Sequence, residues 1–432
     1  MSLLKNSFTN LLGAAIPALV AMPALGYMAR ELDAVLFGAA MLIWALVGYA
    51  GIFDVGLGKS VVRQIAMSSS KAEKGAIIGS SLLFVFVSGW VACLLVYFFS
   101  DYLVLGVFGI SASNAEDVLS GVRLSAFCIP LFLMALILQS YLEGVEEFSV
   151  FNVYRTISGA LSYLAPVLFL YLGGTFFSLI CGLLFSRAVS LFIVFLIISS
   201  KCPLGLWKWS TFEFRRLINF GGWLAISNLV SPIMVYMDKF VMSSVLGAKS
   251  VAFYAAPAEL VNRMTIFPVA ISRAVFPRLS ALGGGNDSRQ VKRIAVICTA
   301  ALTFPVALLF FMLAPLIVRY WLGEGYVDTA GAVLQILLLG FFFNSLALIS
   351  YNSLQAAGHS RLTAFIHLFE VVPYLLLLYF AASQWGVLGG AVVWSGRMLV
   401  DFVLMYSFDF LRQRERGGGM KFSRKVSVGG LG

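Results

Sequence analysis

Glu259, Arg263 and Arg273 are charged residues inside an apolar stretch, Tyr254 to Ser280, that is long enough to cross a bilayer. On a straight helix Arg263 lies about 40° to one side of Glu259 and Arg273 about 40° to the other, so all three share an arc of about 80°. Pro268 stands between the two arginines and is expected to bend that helix. A charge at mid-bilayer costs about 2.5–3.5 kcal/mol even on the lenient insertion scale. Three charges on one stripe are therefore expected to face water, a partner or a cargo, not lipid. A plainer reading makes Glu259 and Arg263 only an i,i+4 ion pair inside a helix bundle.

Other ionisable residues fall in apolar surroundings. Arg187 and Arg397 each sit about halfway along such a stretch. Arg397 has Asp401 at i+4, which could neutralise it locally, whereas Arg187 has only Ser186 and Ser190 near it in sequence. Asn152, Arg155, Ser158 and Ser162 form one polar stripe, with Pro166 on the same face. His367, Glu370 and Tyr374 follow at i, i+3 and i+7, and Asp238-Lys239 is expected at a helix end near the outer surface. Bases outnumber acids in these stretches, so a cleft lined by them is expected to be cationic and to suit an anionic cargo. Arginine fits a phosphate best, because its planar fork matches two oxygens. Arg155, Arg187, Arg263, Arg273, Arg397 and Asn152 are the candidate substrate contacts. Glu259, Asp401, Glu370 and His367 are candidates for ion coupling, or for holding those arginines in place. For any one arginine, a structural ion pair is an equal reading.

Other chemistry finds little support. No GxSxG, HExxH or Walker A motif occurs. The five cysteines are scattered, without a CxxC or a Cys/His cluster, so neither a disulfide framework nor a metal site is expected. His359 and His367 are the two histidines, and a membrane enzyme of glycan assembly would have to use His367. A polymerase or ligase of oligosaccharides would carry a large outer loop, and none is visible. No cofactor is expected beyond a coupling proton or sodium ion.

These residues need helices to hold them in a membrane. The chain of 432 residues is 60% hydrophobic and 12% charged, which excludes a soluble globule. Apolar runs predict twelve spans, at 8–29, 35–53, 75–99, 118–139, 149–171, 176–198, 217–237, 252–276, 294–317, 329–351, 362–382 and 386–408. The apolar run continues through Ala21–Ala24, so the first span reads as an uncleaved helix. The net charge of +10 lies in short loops between spans, which argues against nucleic acid as a partner. Of the 30 Lys and Arg, twenty fall on one side of the expected membrane and three on the other. That asymmetry places both termini in the cytoplasm.

Two halves echo one another. Leu32–Ala40 resembles Leu246–Tyr254, Leu142–Val145 resembles Leu354–Ala357, Arg155 is matched by His367, and Ser186-Arg187 by Gly396-Arg397. The separations are nearly constant, and six spans per half make the repeat parallel. The expected fold is an all-α polytopic membrane protein with two six-helix lobes related by a pseudo-two-fold along the membrane normal. The lobes cover 1–200 and 215–411, with a cytoplasmic linker at 201–214 and a basic, glycine-rich cytoplasmic tail at 412–432. A cleft between such lobes is the usual place for a transport site.

Several stretches resemble the polysaccharide flippase family, the Wzx-like branch of the multidrug/oligosaccharidyl-lipid/polysaccharide superfamily. They are Ala29–Asp33 with Phe37-Gly38, Phe53–Ile65, Gln139–Gly144, Asn219–Asn228, Asp238-Lys239 and Phe276–Ser280. They lie in order along nearly the whole chain. The resemblance implies two six-helix lobes, alternating access, and a cargo of sugar repeat units on a polyprenyl diphosphate. It implies a bacterial inner membrane and contact with other membrane proteins of polysaccharide assembly. Lipid II flippases of the superfamily tend to carry an arginine where this chain has Ala258, which disfavours a peptidoglycan precursor. The alternative is a multidrug or small-molecule, cation-coupled antiporter on the same scaffold. The excess of bases argues against cationic drugs. Phe53–Lys59 reads either as a substrate contact or as a tight turn into an interfacial helix, and the turn is favoured.

Overall fold

The computed structural model describes residues 3–282 and 286–423. Helix fills nearly all of it, and no strand occurs among the described residues. The chain begins with α1 (Leu3–Glu31) and α2 (Ala34–Tyr49). Asp33 separates them, and its carboxylate caps α2 by accepting from the Val35 and Leu36 N–H groups at 2.7 and 2.9 Å. The Phe53–Lys59 segment is a turn: Val55 and Gly56 take left-handed φ values of 51° and 73°, and Asp54 accepts from the Gly56 N–H at 2.6 Å. It leads into α3 (Leu57–Met67), which buries Leu57, Val61 and Ile65 and exposes Lys59 and Arg63. That amphipathic pattern suits a helix lying in the membrane interface.

Next come α4 (Lys71–Phe98), short helical turns over 100–107, α5 (Ala112–Ala126), α6 (Cys128–Gly144), α7 (Phe148–Gly173) and α8 (Phe176–Lys201). They are followed by α9 (Thr211–Leu246), α10 (Ala248–Met264), α11 (Ile266–Leu282), α12 (Asn286–Trp321), α13 (Val327–Ala356) and α14 (Ser360–Ser423). Among the described residues, eight helical stretches are long and apolar enough to cross a membrane. The last of these, Leu362–Arg412, holds two expected spans, because α14 breaks at Gly386, where φ is 61° and ψ is −144°. The expected spans 8–29, 217–237 and 252–276 lie on α1, α9 and α10–α11, and the others coincide with the eight stretches.

Three expectations change. The stretch 252–276 is not one helix but α10 and α11, separated by a turn at Thr265. Pro268 explains the break: it has no N–H to give to the Met264 carbonyl, and its ring crowds that carbonyl. Secondly, α9 runs on to Leu246, so Asp238 and Lys239 lie inside a helix and are buried, not at its outer end. Tyr254 donates to Asp238 at 2.9 Å there. Thirdly, α14 continues to Ser423, carried past Leu411 by the strong helix formers Gln413 to Arg416. The rest of the expected tail, 424–432, lies outside the described residues.

Packing divides the chain into two compact units, Met1–Ala256 with Trp321–Gly325, and Pro257–Tyr320 with Tyr326–Gly432. Between lipid-facing helices apolar burial supplies little drive, because lipid is as apolar as leucine, so close backbone approach matters more. In the first unit a Cβ on Gly38 would strike the Ala248 carbonyl, so this glycine lets α2 lie directly on the start of α10. The core of this unit gathers Val61 and Ile65 of α3, Ile77 and Val85 of α4, Leu133 of α6 and Val194 of α8. The segment between α8 and α9 is held on α4 rather than loose. The Ser210 N–H donates to Ser80 Oγ at 2.9 Å, Trp207 Nε1 donates to the Cys202 carbonyl at 3.0 Å, and Arg216 pairs with Glu73 at 3.1 Å. In the second unit Leu354, Ile366 and Met405 form a small core between α13 and α14, and Asn352 of α13 donates to Ser272 of α11.

Candidate functional site

The break at Gly386 turns the chain between two charged faces of α14. His367, Glu370 and Tyr374 stand before it, and Arg397 and Asp401 after it. Arg397 Nε lies 3.8 Å from Glu370 Oε2, and His367 Nε2 lies 3.5 Å from Asp401 Oδ1. The pair expected from the sequence is Arg397 with Asp401 along one helix; across the break, Arg397 faces Glu370 and Asp401 faces His367. The Arg397 and Glu370 side chains keep only 13% and 9% of their exposure, so this pairing occurs away from solvent. The Arg397 guanidinium lies over the Tyr374 ring at 5.1 Å, and Tyr351 stacks on His367 at 5.7 Å. Ligand atoms of His367, Glu370 and Asp401 all lie within 4.8 Å of one another. One imidazole and two carboxylates so placed can share a proton or hold a small cation. Either would relieve the repulsion between the two acids.

Glu259 and Arg263, at the end of α10, form the plain i,i+4 pair at 2.5 Å. Arg273 lies on α11, beyond the turn at Thr265, and is exposed. The three charges therefore do not share one straight stripe.

The remaining candidates lie in the first unit. Along α7, Asn152 and Ser162 are buried, while Arg155 is exposed. Asn152 packs so closely on Gly13 of α1 that a Cβ there would come within 3.2 Å of its Oδ1. Arg187 of α8 lies over the Phe132 ring of α6 at 5.2 Å. Its Nε is buried and has no hydrogen-bond partner among the described residues. It borders a cavity of about 50 Å³ between α6, α7 and α8.

Sequence reasoning missed a further buried cluster in the second unit. Lys292, which pattern reading assigns to a loop, is buried at the start of α12 and pairs with Asp409 of α14 at 2.5 Å. Ser353 of α13 donates to the other oxygen of Asp409 at 3.1 Å. The Lys292 ammonium also lies 4.7 Å from the Tyr406 ring centroid. A lone lysine before an apolar run carries no signal that distinguishes this from a topology charge.

Residues 3–282 match the family described as polysaccharide biosynthesis protein, and residues 224–380 match the MatE family. A Shigella flexneri protein named "Putative O-antigen transporter" is 39% identical over 406 residues, covering 94% of this chain and 97% of that protein. Among solved structures, the lipid II flippase MurJ in an inward closed conformation superposes with a TM-score of 0.77 at 16% identity, over 99% of this chain and 94% of that one. An inward-facing multidrug resistance transporter of the MATE family and MOP superfamily gives 0.76 at 16% identity, over 98% and 100%. At such identities these two likenesses speak for the fold alone. This all-helical, multi-span membrane chain has the fold of MOP-superfamily transporters and belongs to the polysaccharide biosynthesis protein family.

Proposed function

We propose that this chain is a flippase that moves undecaprenyl-diphosphate-linked oligosaccharide repeat units across the bacterial inner membrane by alternating access, for surface polysaccharide. The observation that carries this reading is the 39% identity to the Shigella flexneri relative over 94% of the chain. The intramembrane arginines support it. A diphosphate is a dense anionic group, and guanidinium is the side chain that best replaces the water it leaves behind. Arg155, Arg187, Arg263, Arg273 and Arg397, with Asn152, are its proposed contacts, and Glu259 holds Arg263 by the observed pair. Both termini are assigned to the cytoplasm from the lysine and arginine asymmetry. Other membrane proteins of polysaccharide assembly are the proposed partners.

Movement against a gradient needs a coupling step. The proposed seat is the His367, Glu370 and Asp401 cluster beside Arg397, with a proton or a sodium ion as the coupling ion. Placing a third carboxylate there, in place of the arginine, should break it. Arg397→Glu is expected to abolish surface polysaccharide while the protein still inserts in the membrane. Normal surface polysaccharide in that variant would refute the assignment of Arg397. A cation-coupled small-molecule antiporter is the second reading, favoured by the MatE match over 224–380. Overexpression that confers resistance to cationic dyes would support it.

A further inference from the structure

Arg187 differs from the other intramembrane arginines in its surroundings. Arg263 has Glu259 at 2.5 Å and Arg397 has Glu370 at 3.8 Å. Among the described residues no carboxylate pairs with Arg187, although it lies halfway along α8 inside the membrane-spanning stretch Phe176–Lys201. A charge halfway through the membrane needs a counter-charge, and among the described residues Arg187 has the Phe132 ring at 5.2 Å and neutral neighbours. Its buried Nε has no hydrogen-bond partner among the described residues.

The cavity beside it is built for an anion. Gln139, Tyr154, Ser158 and Ser190 line it with the guanidinium, and no carboxylate is among its lining residues. Ser158 Oγ donates to Ser190 Oγ at 2.9 Å, so the Ser190 oxygen already serves as an acceptor and its proton is the group on offer. The Phe132 ring lies 5.2 Å from the guanidinium carbon and offers its N–H groups no oxygen or nitrogen acceptor. The volume is about 50 Å³. A single water needs about 10–15 Å³ of such space. The space exceeds what one water needs, so it admits an anionic oxygen group beside the guanidinium.

We propose that Arg187, with Ser190, Tyr154 and Gln139, forms a subsite for a single oxyanion of the cargo, either one phosphoryl of the carrier or the carboxylate of an acidic sugar. This rests on the flippase reading and narrows it to one group and one pocket. The site is neutral only when filled, which gives it a signature that a purely structural arginine lacks. Removing the charge should stabilise the ligand-free protein and abolish stabilisation by cargo.

The test uses the full chain in lipid nanodiscs, wild type and Arg187→Met, with thermal unfolding as the readout. The probes are undecaprenyl diphosphate carrying a neutral disaccharide, and the same lipid carrying a disaccharide with one uronic acid. Ligand-free Arg187→Met is expected to melt about 1–3 °C above wild type. Wild type should rise further with a bound lipid, and the variant should lose at least tenfold in apparent affinity. Loss for both lipids identifies the phosphoryl as the oxyanion, and loss for the acidic lipid alone identifies the carboxylate. Arg187→Lys, which keeps the charge, should keep part of the response. A ligand-free Arg187→Met that melts below wild type yet binds both lipids as wild type does would overturn the subsite and leave the flippase reading standing. If wild type itself responds to neither lipid, the cargo reading fails, and the subsite fails with it.

Discussion

Single residues here are governed by what a charge can find once water is gone. Lys292 and Asp409 keep 8% and 4% of their side-chain exposure and sit 2.5 Å apart. Removing one partner strands the other. Lys292→Ala is expected to cost about 3–5 kcal/mol, whereas Lys292→Met combined with Asp409→Leu should recover most of that loss. Thermal unfolding of the three proteins in detergent checks the order. Equal melting of the single and double variants would contradict it. Glu213, in the first turn of α9 and ahead of the expected span, makes a second case. Burial pushes its carboxyl up, and Arg216 at 3.5 Å pulls it only partly back. The folded protein therefore binds this proton more tightly than the unfolded chain, and stability falls as pH rises through that raised value. Glu213→Gln should melt above wild type at pH near 8, with the gap closing toward pH 4. A gap that widens on acidification would reverse the sign. The chemistry of these residues is visible in sequence only in part. Glu259–Arg263 is readable because the pair lies on one helical turn. Arg397–Glu370 and Lys292–Asp409 are not, because their spacing along the chain carries no trace of the folding that joins them.

At the scale of elements, apolar runs made most helices legible, and the errors came at backbone breaks. Pro268 was visible, but its break falls upstream at Thr265, where the missing N–H is felt, and this separates Arg273 from Glu259 and Arg263. The turn after α2 was legible because Asp54 and Gly56 are turn formers. Gly386 marks a boundary between two expected spans, and its φ of 61° is one that a Cβ makes costly. Gly386→Ala is therefore expected to cost about 1–2 kcal/mol. Gly205→Ala, where nothing lies within 4 Å and no such backbone angle is required, should be neutral. Parallel melting curves of the two variants test the contrast. If both are neutral, the turn does not depend on its left-handed residue.

For the molecule as a whole, composition excluded a soluble protein, and the resemblance of ordered motifs pointed to the family that the residue 3–282 match bears out. Cargo class rests on different ground, the 39% identical relative together with an excess of intramembrane arginine over nearby acid. The direct measurement is movement of a fluorescent undecaprenyl-diphosphate-linked oligosaccharide across proteoliposomes that contain only this protein, read as accessibility to a reagent added outside. Movement well above protein-free vesicles, lost in Arg397→Glu, is the result this account predicts. No movement above protein-free vesicles, with efflux of a cationic dye from the same preparation, would contradict it.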